Sequence, residues 1–216
     1  MPGRRRLTRD QSRAETRQRL MDAAERIFAE RGFYGSSVEE ITERAGFSRG
    51  AFYSNFEDKD ELFLALLDRR SDAQIREVGE LLAANPAPAD FITALRKRGV
   101  GRASQRAWIM LSHEFWLYAL RNPKVRPKLV ARARFERDAY QRAVVAQYRT
   151  LGISPPGPPE QLALIVQALD SGFAMQQYLD PDAVTEDSFL DALALLTRAS
   201  VALVEQSTQH DPMSRR

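Results

Sequence analysis

Few residues in this chain are equipped for covalent chemistry. Ser48 sits in Gly46-Phe47-Ser48-Arg49-Gly50, the Gly-x-Ser-x-Gly spacing that raises a nucleophilic serine on a strand-to-helix turn in hydrolases. That device needs a strand before the turn and a base within reach. Here the preceding residues read as a helix, and His113 and His210 are the only imidazoles in the sequence. His113-Glu114 opens like a His-Glu-x-x-His zinc site, but Leu117 occupies the second ligand position. With no cysteine there is no disulfide, thiolate metal site or thiol nucleophile. Neither a Gly-x-x-x-x-Gly-Lys phosphate loop nor a Gly-x-Gly-x-x-Gly fingerprint occurs. The expectation is a protein that is not an enzyme, with no cofactor and no metal.

What is left is the chemistry of recognition, and it concentrates in residues 37–56, SVEEITERAGFSRGAFYSNF. Two short helices around a glycine, the second too small to hold a core alone, make a helix-turn-helix. Val38, Ile41 and Ala45 brace the first helix, Gly46 permits the turn, and Phe47, Ala51 and Phe52 pin the second. Arg49, Gly50, Tyr53, Ser54 and Asn55 are then left on the outward face. Arginine donates two bonds to guanine, and Gly50 lets the backbone approach a base closely. Tyr53 and Lys59 suit phosphate, which sets register rather than sequence. Spacing of this kind also occurs in ordinary helical hairpins.

The elements that must carry this segment are helices throughout. Leu20, Ala23, Ala24, Ile27 and Phe28 follow the i, i+3, i+4, i+7, i+8 pattern of an amphipathic helix, which Gly32 ends. Ser37 with Glu40 forms a capping box, Ser48 caps the third helix, and Asp58 with Glu61 opens a fourth that runs to about Ala84. Asn85-Pro86-Ala87-Pro88 breaks the chain, and Asp90 is read as the cap of a helix to about Gly99. Further helices are predicted over about 104–121, then to about Thr150 with Pro127 in the first turn, then over about 160–179 and 186–206. The predicted fold class is all-α with about nine helices. The 216 residues, 44% of them hydrophobic, suffice for a real core, and the longest strongly apolar run, Leu62 to Leu67, is far too short to span a bilayer. No apolar stretch follows the basic N-terminus, so no secretory signal is expected and the reading is a soluble, cytoplasmic protein without a membrane partner.

Charge is distributed unevenly behind a net value of +3. Residues 1–19 carry seven arginines (Arg4, Arg5, Arg6, Arg9, Arg13, Arg17 and Arg19) against Asp10 and Glu15. Such an arm is a footprint of nucleic-acid binding, though a solubilising tail reads the same way. Residues 96–149 hold 14 Lys/Arg and 3 acids, which suits either an acidic effector or a solvated face. Trp108, Ile109, Ser112, His113 and Trp116 on one helix, with Phe173, Gln176 and Gln177 on another, form a mostly apolar set with a few polar groups, as small-molecule pockets do. Core packing explains them equally well. The last two helices present Leu162, Ile165, Val166, Leu169 and Phe173, then Phe189, Leu193, Leu196, Ser200 and Leu203, to complete a monomer core or to meet a twofold mate.

From about Arg13 to Leu67 the chain resembles the DNA-binding domain of the TetR family of transcriptional regulators. The resemblance is carried by AAERIFAERGFYGSSVEEITERAGFSRGAFYSNFEDKDELFLALL: a first helix, a Gly-aromatic-x-x-Ser entry, a Gly-x-Ser-x-Gly-x-aromatic-Tyr-x-x-Phe segment and a Lys-x-x-Leu opening of the fourth helix. It implies a flexible basic arm over residues 1–12, a DNA-binding domain over 13–57, an effector-binding and dimerisation domain over 58–206 and a tail over 207–216. By position it implies that Ser37 approaches phosphate, that Ser48, Arg49, Gly50 and Ala51 enter the major groove, and that Tyr53, Ser54, Asn55 and Lys59 contact backbone or nearby bases. Family members often have His where Asn55 stands and Thr where Ala51 stands. Arg44 reads either as a phosphate neighbour or as the partner of Glu40. The implied partners are a double-stranded operator, a small-molecule effector that releases a repressor, and a second copy joined through the last two helices. The alternative is a helical ligand-binding or adaptor protein that no longer engages an operator.

Overall fold

The computed structural model describes residues 8–99 and 106–209. The arm arginines Arg4, Arg5 and Arg6, Ser104 and His210 lie outside the described residues. Within them the elements are α1 (Arg9–Arg31), α2 (Val38–Ala45), α3 (Arg49–Tyr53), α4 (Lys59–Ala84), α5 (Pro88–Arg98), α6 (Arg106–Arg121), α7 (Arg126–Leu151), α8 (Pro159–Leu179) and α9 (Ser188–Gln209), with no strand among the described residues. The chain is all-α.

Local chemistry accounts for most boundaries and shifts two of them. Thr8 accepts from Gln11 N at 3.2 Å while Gln11 Oε1 accepts from Thr8 N at 2.9 Å, a capping box that starts α1 at Arg9. Arg9–Ser12, expected in the arm, are therefore helical. Asp90 is not a cap: Ala87 stands at that position and Pro88 takes the first helical place. Proline's fixed φ and missing N–H cost nothing there, and Asp90 falls in the first turn.

The helices pack as two compact units. One takes in the chain up to Ser71 with Met110–Val130, the other Asp72–Ile109 with everything from Ala131. The packing thus divides within α4, rather than at residue 57 where the motif ends. The core of the first unit is built from Leu20, Ala24, Ile27 and Phe28 of α1, Ile41 of α2, Phe52 of α3, Leu62, Phe63 and Leu66 of α4, and Phe115 and Ala119 of α6. Phe115 stacks on Phe63 with centroids 4.3 Å apart and meets Phe33 edge-on at 5.1 Å. On α6 the buried stripe of this unit is Leu111, Phe115 and Ala119, at i, i+4 and i+8. Trp116, grouped in the sequence with Ile109 and His113 as a pocket or core residue, is turned outward and 52% exposed.

In the second unit Phe91, Ile92 and Leu95 of α5 pack on Leu190 of α9, flanked by Val78, Leu81 and Leu82 of α4 and by Phe189 and Leu193. Arg96 pins the same helices through Asp187 and Asp191, both at 2.7 Å. Across α7 and α8, Tyr140 donates its hydroxyl to Asp170 Oδ2 at 2.8 Å. Burial raises the Asp170 carboxyl above its usual range; the Tyr140 bond opposes this and Glu136 adds to it. A raised carboxyl stabilises the fold fully below the unfolded value, and that contribution is lost as pH rises through the folded one. Asp170→Asn keeps an acceptor for Tyr140 and removes the buried charge. Its melting temperature should exceed that of the parent chain at pH 7–8 and converge with it near about pH 4. Equal melting temperatures throughout would show that Asp170 ionises without cost.

Candidate nucleic-acid interface

The helix-turn-helix is assembled by caps at each turn. Ser37 Oγ accepts from Glu40 N at 3.2 Å and Glu40 Oε2 accepts from Ser37 N at 3.0 Å. Gly46 closes α2 in the left-handed region (φ 73°, ψ 34°), where a side chain is disfavoured. Phe47 N then donates to Thr42 O at 2.9 Å. Ser48 Oγ accepts from Ala51 N at 3.2 Å, so the serine of the Gly-x-Ser-x-Gly spacing is the cap of α3 and follows a helix, not a strand. Ile41, Ala45 and Phe52 face inward, while Arg49, Gly50, Tyr53 and Ser54 lie on the exposed surface. That arrangement leaves α3 presenting a guanidinium, a bare backbone, a phenol and a hydroxyl.

Several residues expected on the outward face are otherwise engaged. Arg49 Nη1 lies 2.8 Å from Glu39 Oε1, with its Cζ 6.0 Å from the Tyr53 ring centre. Hydrogen bonding to Tyr53, then the charge of Glu39, raise the Arg49 pKa. Ser54 Oγ donates to Gly50 O at 2.8 Å. Asn55 is half-buried: its Nδ2 donates to Ala51 O at 2.8 Å and its Oδ1 is enclosed with no partner among the described residues. Arg44 pairs with Glu30 at 2.6 Å rather than with Glu40, because Glu40 pairs with Arg31 instead.

Lys59 departs furthest from expectation. Its ammonium donates to Phe33 O and Ser36 O, both at 2.7 Å, and lies 4.4 Å from the Phe33 ring centre. Burial lowers its pKa, opposed by Asp60, Glu114 and Glu40. The residue clamps the α1–α2 connection instead of reaching outward. Glu114 of α6 clamps the same connection from its other polarity, accepting from Phe33 N at 3.1 Å and Tyr34 N at 2.8 Å. Lys59→Met should therefore cost about 1–3 kcal/mol by leaving part-buried carbonyls without a donor. Thermal melting would show that loss, whereas a salt dependence of DNA binding weaker by one full counterion would restore Lys59 to the phosphate contacts.

Sequence reasoning missed the work of three arginines on α1. Arg13 donates to Ser54 O at 3.0 Å, Arg17 to Asn55 O at 2.5 Å and Arg19 to Ala45 O at 3.0 Å. These carbonyls end α3 and α2, where a cation both satisfies an orphan acceptor and complements the helix dipole. Arg17 also lies over Phe56 and Arg19 over Phe47.

The residues proposed to receive an effector fall in both units: Ser112, His113 and Trp116 in the first, and Trp108, Ile109, Phe173, Gln176 and Gln177 in the second. Gln176 and Trp116 are exposed and the others half-buried. No group of three or more metal-binding side chains comes together among the described residues, and no helix there is long and apolar enough to cross a membrane.

Residues 20–66 match the family model described as bacterial regulatory proteins, tetR family. Over that segment the chain is similar to the TetR family. Its matched segment runs from the second half of α1 into α4 and contains every helix-turn-helix residue described above. Among curated TetR-like relatives, the HTH-type transcriptional repressor AcnR of Corynebacterium diphtheriae is 45% identical over 62 residues, 29% of this chain and 32% of the relative. The HTH-type transcriptional activator FasR of Mycolicibacterium smegmatis is 39% identical over 77 residues, 36% of this chain and 33% of the relative. The chain thus aligns with about a third of the length of these relatives. The crystal structure of the multidrug binding protein EbrR complexed with ethidium has a TM-score of 0.64 and 25% identity, covering 84% of this chain and 98% of that one. AcnR and FasR are both named as transcriptional regulators.

Proposed function

We propose that this protein is a dimeric, effector-responsive DNA-binding regulator of the TetR family that acts as a repressor. The observation that carries the reading is the outward face of α3, where Arg49, Gly50, Tyr53 and Ser54 stand exposed on a helix capped at Ser48 and pinned by the buried Phe52. In this reading Arg49 reads guanine, Gly50 and Ala51 allow close approach, and Tyr53, Ser54, Ser37 and Arg44 touch phosphate, with Arg4, Arg5 and Arg6 adding nonspecific attraction. A five-residue helix offers few base contacts, which favours two copies reading half-sites about one helical turn apart. Ile165 and Leu196, both 40% exposed, with Leu164 and Leu195 beside them, are the apolar residues of α8 and α9 proposed to join the copies.

Repression requires only that a bound dimer occupy a promoter. Release follows if an effector favours a dimer geometry that the operator disfavours, in which case effector and operator weaken each other's binding equally. EbrR, bound to ethidium, supports a ligand site in the helical remainder, with Trp108, Ile109, Phe173 and Gln177 of the second unit as proposed contacts.

The test is fluorescence anisotropy of the full chain on genomic duplexes, beside shuffled ones, across a salt series. A preference of about 10³-fold or more for one duplex, persisting as salt rises, is the expected result. Within it, Arg49→Ala should cost about 1–3 kcal/mol at one base pair and relax specificity there. No binding to any duplex at low salt would favour the adaptor reading.

A further inference from the structure

Arg49, the guanidinium proposed to read a base, is already engaged. Arg49 is the first residue of α3 and Glu39 the second of α2, and both side chains are more than half exposed, at 61% and 55%. Nevertheless Arg49 Nη1 meets Glu39 Oε1 at 2.8 Å, with the Tyr53 ring on the same guanidinium. Ser37 and Glu40, not Glu39, form the capping box of α2, so Glu39 serves the helix start only as a first-turn carboxylate that complements the dipole.

A carboxylate on a DNA-facing surface opposes binding, since every phosphate repels it. An arginine left free there would find a phosphate on any sequence, releasing a counterion and adding affinity without discrimination. Paired with Glu39, the guanidinium keeps its charge, but the pair as a whole has no net charge to offer the backbone. Glu39 and Tyr53 both engage the group, and the planar fork is held with its other N–H donors still to offer. Guanine answers such a fork with O6 and N7 in the major groove, whereas a pair without that double acceptor leaves the ion pair desolvated for nothing.

We infer that Glu39 is a specificity-determining positioning residue, which holds Arg49 for guanine and withholds its charge from the phosphate backbone. The inference rests on the DNA-reading function proposed above. Its test uses the full chain and its Glu39→Gln variant, each taken through selection from a random duplex library and then measured on the preferred duplex and on a shuffled one across salt. The variant is expected to bind shuffled DNA more tightly and to lose about tenfold of its preference for guanine at one position. Its salt dependence should steepen by about one counterion, since Arg49 is freed to engage a phosphate. In an Arg49→Ala background the same Glu39→Gln change should leave base preference unmoved, which a direct role of Glu39 or a general effect on folding would not predict. An unchanged preference and slope in Glu39→Gln would overturn the inference, as would loss of preference for cytosine or adenine, because Glu39 would then read a base itself. If the parent chain itself shows no sequence preference, the failure lies with the regulator reading, and this inference falls with it.

Discussion

Replacing Phe115 by alanine should destabilise the first unit by about 3–5 kcal/mol, a large part of the ~5–15 kcal/mol that holds a domain together. Phe115 is fully buried, stacks on Phe63 at 4.3 Å and contacts Phe33 and Tyr118 edge-on or tilted at 5.1 and 5.7 Å. Removing the ring opens a cavity amid side chains that cannot all collapse into it, and it loses the geometry-specific part of each aromatic pair. The residue belongs to α6, outside the matched residues 20–66, so the result would show that the helix-turn-helix depends on a helix the family model does not include. Denaturant unfolding of the full chain, followed by circular dichroism, measures it. A loss below about 1 kcal/mol would mean that the first unit holds together without α6.

If the chain is the operator-binding dimer proposed above, the double substitution Ile165→Glu with Leu196→Glu should convert it to monomers and weaken operator binding by about 10²–10⁴-fold, the advantage lost when two linked sites become separate ones. Both side chains are already 40% exposed in the single chain, so charge there costs the protomer little. Sedimentation reads the association state directly. Binding to an isolated half-site should be unchanged, since α3 and its caps lie in the other unit. Dimers that persist in the variant would remove α8 and α9 from the interface.

The chain's own order of residue types determined the helices and their joints. Ser37 with Glu40, Ser48, Gly32 and Gly46 each act within a few residues of themselves, so caps and turns could be read before any packing was known. The apolar spacing of Leu20, Ala24, Ile27 and Phe28 likewise assigned the buried face of α1. The capping box at Thr8 was equally local and was obscured by the surrounding arginines, which read as an arm.

Tertiary structure decided the fate of charged and amphipathic side chains. Arg13, Arg17 and Arg19 look identical in sequence to arm arginines, yet they end on carbonyls of α2 and α3 from 26 to 41 residues away. Lys59 lies in the matched segment but donates to carbonyls of the α1–α2 connection, and Glu114 answers the amides there from about 80 residues further on. Trp116 and Phe115 are neighbours of similar character, and only the packing of α6 against Phe33 and Phe63 selected which one is buried. The exposure of Arg49 on α3 was legible, whereas its pairing with Glu39 depended on how α2 and α3 cross. The physical reason is common to all of these. A cap or a turn is satisfied by neighbours along the chain, but a long charged or aromatic side chain reaches several ångströms, and its partner is whatever the fold brings within that reach.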